Sequence, residues 1–101
     1  MSGDAVERLR GLCGGPRDGA LLRMSLANAL LARGDISAAV EELERALAFD
    51  PDYSAAWKLL GKTLAASDTA AAAAAYRSGF AAAQRRGDKQ AEKEMAVFLR
   101  R

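Results

Sequence analysis

Trp57-Lys58-Leu59-Leu60-Gly61-Lys62-Thr63-Leu64, preceded by the turn-forming run Asp50-Pro51-Asp52-Tyr53, decides how this chain folds. Trp57, Leu60, Gly61 and Leu64 fall at i, i+3, i+4 and i+7, the spacing that lines four residues along one stripe of a 3.6-residue helical period. A glycine inside such a stripe costs about 1 kcal/mol of helix propensity relative to alanine, so close approach of a neighbour is its reason for being there. Gly61 is therefore expected to be a packing notch that another helix fills.

Displacing the sequence by 34 residues brings Arg23, Leu26, Ala27 and Leu30 into register with Trp57, Leu60, Gly61 and Leu64, again with a small residue at the notch. Further along the offset becomes 33, aligning Asp35, Ala39, Leu43 and Ala46 with Asp68, Ala72, Tyr76 and Gly79, so one residue is missing from the turn near Ser67. W-x2-L-G-x2-L, then A-x3-Y/L-x2-small, then a proline closing the unit, resembles the tetratricopeptide repeat.

The resemblance implies an all-α fold, an α-α superhelix or solenoid of two helical hairpins, as in small bacterial proteins with two repeats and a capping helix. Its core positions fall on Leu26, Ala27, Leu30, Ala39, Leu43, Ala46 and Pro51 in the first repeat. In the second they fall on Trp57, Leu60, Gly61, Leu64, Ala72, Tyr76 and Gly79. The expected organisation is one domain over residues 1–101, with a leading helix at 4–14, repeats at 20–53 and 54–86, and a capping helix at 88–101. Trp57, packed between the helices of its repeat, is expected to cost roughly 3 to 5 kcal/mol when cut back to alanine.

Composition narrows the function. With 101 residues the chain has room for one modest core, and with 50% apolar residues, many of them alanine, and 6% aromatics it favours close helix packing over a sheet. No apolar run approaches the ~18 to 20 residues of a membrane span, and the start lacks a basic, then apolar, leader, so a soluble cytoplasmic protein is expected. Cys13 is the only cysteine, which suits a reducing compartment. Histidine is absent, removing the side chain best suited to proton transfer near neutral pH. Residues 84–101 hold six Lys/Arg against three Asp/Glu, a basic end. Without interleaved aromatics, nucleic-acid binding through Arg85, Arg86, Arg100 and Arg101 is disfavoured against a solvated helix face.

Along the chain, Asp4 is expected to cap the leading helix, with Val6, Leu9 and Leu12 or Cys13 inward, and Gly14-Gly15-Pro16 to stop it. Asp18 is expected to cap the next helix. Gly34-Asp35, Ser67-Asp68 and Gly87-Asp88 each pair a stop with the following cap. Asp52 or Ser54 caps the helix that carries Trp57. Six consecutive alanines, Ala70 to Ala75, make a strong helix former with small interfaces. No proline ends that helix, where Arg85 stands instead, so it is expected to run about a turn longer than its counterpart. The last helix puts Ala91, Met95, Phe98 and Leu99 on one face, as a lid over an otherwise exposed repeat end.

No catalytic or cofactor constellation emerges. Glu41, Glu42 and Glu44, with Arg45, are expected on the solvated outer face, Gly14-Gly15-Pro16 lacks the following lysine and helix of a phosphate-binding loop, and no histidine stands ready to activate a serine. The chain is thus expected to be no enzyme, with no cofactor and no metal. The family resemblance implies instead a concave groove lined by the first helix of each repeat, with Leu21, Met24, Asn28 and Leu31 facing it from one repeat and Ala55, Lys58, Lys62 and Ala65 from the other. Lys58 and Lys62, one turn apart, would offer two ammonium groups to an acidic segment or a terminal carboxylate. The lysine-asparagine clamp by which some family members hold chaperone tails is matched only at Asn28, with Met24 and Leu59 standing where that clamp needs lysine and asparagine. The expected partner is therefore another protein or peptide of unspecified identity. The second reading is a homo-oligomeric assembly subunit joined through exposed repeat ends.

Overall fold

The computed structural model describes the backbone of residues 2–100 and the side chains of residues 5–100. Six helices follow one another and no strand occurs among the described residues: α1 Ser2–Arg10, α2 Ala20–Ala32, α3 Ile36–Phe49, α4 Ser54–Leu64, α5 Thr69–Arg86 and α6 Lys89–Arg100. The chain divides into two compact units, Met1–Asp50 with α1 to α3 and Pro51–Arg101 with α4 to α6.

In the first unit α2 and α3 form the hairpin and α1 packs against α2. Val6, Leu26, Leu30 and Ala39 make its core, with Leu9, Cys13 and Leu31 packed around them. The hairpin turns where Gly34 takes the left-handed conformation at φ 80°, which a side chain would strain. Asp35 then caps α3 by accepting from the Ala38 N–H at 3.4 Å. The leading helix ends at Arg10, earlier than expected, because the chain tightens from Gly11 into three-residue turns in which Leu12 and Cys13 donate to the Leu9 and Arg10 carbonyls. The cap expected at Asp4 concerns a side chain outside the described residues. Asp18 does not cap α2, whose N-cap is Gly19 with no side-chain bond.

In the second unit α4 and α5 form the hairpin and α6 lies against both. Asp68 caps α5 through the Ala71 N–H at 2.9 Å, and Asp88 caps α6 through the Ala91 N–H at 3.1 Å. The cap expected for α4 from Asp52 or Ser54 is not made. Tyr53 occupies the N-cap without a side-chain bond, and Asp52, one residue before it, accepts from Arg85 Nε at 2.6 Å. With no proline to stop it, α5 reaches 18 residues against 14 in α3, about one turn more. Its six alanines, Ala70 to Ala75, are helical throughout.

Gly61 is the notch that lets α5 approach α4. A Cβ on Gly61 would stand 2.5 Å from Tyr76 Cε1, inside contact distance, so only glycine leaves the tyrosine ring its place. That ring stacks on Phe98 with centroids 4.6 Å apart and planes at 4°, joining α5 to α6 over buried Met95. Trp57 is only partly buried, a departure from the expected interior position. Its Cβ backs onto Gly79, and the indole donates from Nε1 to the Pro51 carbonyl at 2.8 Å. Pro51, expected among the core positions, is exposed, since its part is to end α3 and accept this bond. Leu64 is likewise half-buried, at the last turn of α4.

Candidate functional site

Two arrangements of charged side chains stand out, one in each unit, and each begins at a position where the repeats differ. In the register of the repeats Arg23 takes the place of Trp57. An arginine there needs anions, and the first unit supplies two. Arg23 Nε and Nη2 bond both oxygens of Asp18 at 2.9 and 2.8 Å, while Nη1 bonds Glu42 Oε1 at 3.0 Å. Arg45 Nη1 closes the set on Glu42 Oε2 at 2.6 Å. The side chains of Arg23, Asp18 and Glu42 are only 15%, 12% and 10% exposed.

Glu42 therefore does not face water with Glu41 and Glu44, as its acidic neighbourhood suggested. It sits three residues after Ala39 and four before Ala46, on the inner stripe of α3, and that spacing already carried the signal. The bonds from Arg23, helped by the Gly14 N–H at 2.8 Å, hold the Asp18 carboxyl down at about 2 against an ordinary 3.8, although burial pushes the other way. The same partners push the Arg23 guanidinium up. This network ties the loop after α1 to both helices of the hairpin. Its acceptors are already satisfied by arginine, which makes it a framework for the unit.

The first unit's expected groove residues lie on α2. Leu21 is 72% exposed, Met24 is half-buried, and Asn28 is exposed with its amide donating to the Met24 carbonyl at 3.2 Å. Leu31 is half-buried and packs on the core formed by Val6, Leu26, Leu30 and Ala39, so it serves its own unit's interior.

In the second unit the expected pair of lysines is split. Lys58 Nζ bonds Glu94 Oε1 of α6 at 3.1 Å, so its charge is matched within the unit. Lys62 is exposed and makes no ion pair among the described residues. It stands at the edge of a cleft of about 620 Å3 that opens between the C-terminal end of α4, the start of α5 and the end of α6. Alanines and the Tyr76 and Phe98 rings make its walls apolar, and Leu99, expected on the packed face of α6, borders it at 37% exposure. At the basic C-terminal end Arg85 pairs with Asp52 and Lys89 with Glu92. Among the described residues no group of His, Cys, Asp and Glu could hold a metal ion, and no helix is long and apolar enough to cross a membrane.

Paired antiparallel helices in each unit, without strands among the described residues and with the same residue pattern at offsets of 34 and 33, define an α-helical repeat protein. Residues 20–63 match the tetratricopeptide repeat model. A TPR repeat-containing protein of Pseudomonas aeruginosa is 54% identical over 85 residues, 83% of this chain and 81% of that protein. The chain belongs to the tetratricopeptide-repeat family. The solution structure of a Bordetella parapertussis protein is similar at TM-score 0.77 and 48% identity, covering 94% of this chain and 84% of that one. The crystal structure of MamA, at TM-score 0.72 and 19% identity over 98% of this chain and 65% of that chain, shares the fold. Tetratricopeptide repeats are in general protein-interaction modules, and proteins built from them are typically non-enzymatic scaffolds.

Proposed function

We propose that this chain is a non-catalytic adaptor that binds a peptide segment or a partner protein along the flanks of its hairpins' first helices, α2 in one unit and α4 in the other. The observation that carries the reading is Lys62, an exposed ammonium without an ion pair among the described residues, set beside an apolar cleft. Apolar walls supply contact area, and a lone cation sets polarity and favours an acidic partner segment or a terminal carboxylate. A preformed surface loses little order on binding, and two repeats present a small one, so binding is weak and transient. The setting is cytoplasmic, where the free thiol of Cys13 stays reduced.

A pull-down from the native host with the wild type and a Leu21→Glu, Lys62→Glu variant tests this. Partners captured by the wild type and lost from a folded variant are the expected result; identical partners for both would sink it. Leu21 at 72% and Phe49 at 53% exposure favour a second reading, self-association of the chain. Light scattering after size-exclusion chromatography decides that one, since a monomer at high concentration removes it.

A further inference from the structure

Resting on that reading of the second unit, we propose that the cleft beside Lys62 is an anchor site for a partner peptide carrying one large apolar side chain with a carboxylate about one helical turn away. The register of the repeats says why the cleft exists. Ala65 and Ala73 stand where the first repeat has Leu31 and Val40, and Thr69 stands where it has Ile36. In the first unit Leu31 packs on the core and Val40 is half-buried, while Ile36 is 48% exposed. The second unit omits those methylene groups and keeps an apolar hollow of about 620 Å3, within the roughly 300 to 1,000 Å3 of ligand-accepting pockets.

Charge selects the occupant. Among the described residues Lys62 is the one charged side chain lining the cleft, and Lys58, a turn earlier, is already matched by Glu94. One uncompensated positive charge at an apolar hollow is complementary to an apolar side chain whose neighbour is Asp, Glu or a chain terminus. The walls come from helices and the stacked Tyr76–Phe98 pair, so the hollow precedes its guest.

The test is selection of a phage-displayed library of random dodecapeptides on the immobilised chain, followed by fluorescence anisotropy of the enriched peptides. Expected are peptides pairing Leu, Met or Phe with an acidic residue, bound about tenfold or more weakly by Ala65→Leu and by Lys62→Glu, and normally by Lys62→Arg. Ala73→Leu fills the same hollow from the other helix, and circular dichroism of each variant verifies its fold. Enriched peptides indifferent to all of these substitutions would overturn the anchor site and leave the broader reading standing. Failure to enrich any peptide overturns the anchor site, while the broader reading is decided by the pull-down. Self-association abolished by Ala65→Leu, with no peptide enriched, would assign the cleft to a second copy of the chain.

Discussion

The ring of Tyr76 occupies the space a side chain on Gly61 would need, with Cε1 2.5 Å from the position of the absent Cβ. In the first repeat the same two positions hold Ala27 and Leu43, both fully buried, so what one unit gives up at the notch it regains across it. The ring cannot swing aside cheaply, since it is buried and stacked on Phe98. Gly61→Ala is expected to destabilise by about 1 to 2 kcal/mol, overpacking outweighing the gain in helix propensity. Adding Tyr76→Leu, which recreates the first repeat's pair, should give a double mutant more stable than the two single effects summed, by about 1 kcal/mol in a urea-denaturation cycle.

Trp57→Ala should cost about 2 to 3 kcal/mol, less than the 3 to 5 of a fully enclosed indole, because the ring is partly solvated. Trp57→Phe should cost about 1 kcal/mol through loss of the Nε1–H bond to the Pro51 carbonyl. Chemical denaturation of both variants checks the order and the gap between them.

Acid should loosen the first unit through Asp18. Its carboxyl is held at about 2 in the folded chain against an ordinary 3.8, so the unfolded chain takes up the proton first as pH falls. The contribution is therefore complete above the ordinary value, declines below it, and is gone once pH has dropped through about 2. Asp18→Asn should flatten that limb of the stability profile, and Arg23→Met should return the Asp18 titration, followed by carboxyl NMR, toward 3.8. Arg23→Ala should also destabilise more than Arg45→Ala, since Arg45 is half exposed and, among the described residues, pairs with Glu42 only.

The Lys58–Glu94 bond joins α4 to α6 near the surface and is expected to be worth about 0.2 to 1 kcal/mol, fading with added salt. Glu94→Lys should lower the thermal midpoint at low ionic strength. Lys58→Glu combined with Glu94→Lys should restore most of the loss, and an uncorrected midpoint in that double variant would count against the pairing.

What the sequence disclosed about the fold was local or periodic. Asp35, Asp68 and Asp88 reach an N–H three residues on, and the Gly61 notch and the repeat offset are patterns of residue size. Contacts formed by folding were less visible. Asp18 and Asp52 look like caps, but an arginine engages each: Arg23, five residues on, and Arg85, from the far end of α5. Lys58 meets Glu94 across 36 residues, which no helical spacing anticipates. Glu42 was legible in principle from its place on the inner stripe, but its charged neighbours masked it. The cleft comes from small residues at 65, 69 and 73, and what they leave open is defined only when α6 brings Phe98 and Leu99 alongside.

The placement of Trp57 has a practical consequence for optical work. The sole indole and both tyrosines, Tyr53 and Tyr76, belong to residues 51–101, and the first fifty residues carry Phe49 as their one ring. Ultraviolet emission thus reports the second unit, whereas far-ultraviolet dichroism sums every helix, so mismatched melting curves from the two probes would reveal one half of the chain coming apart before the other.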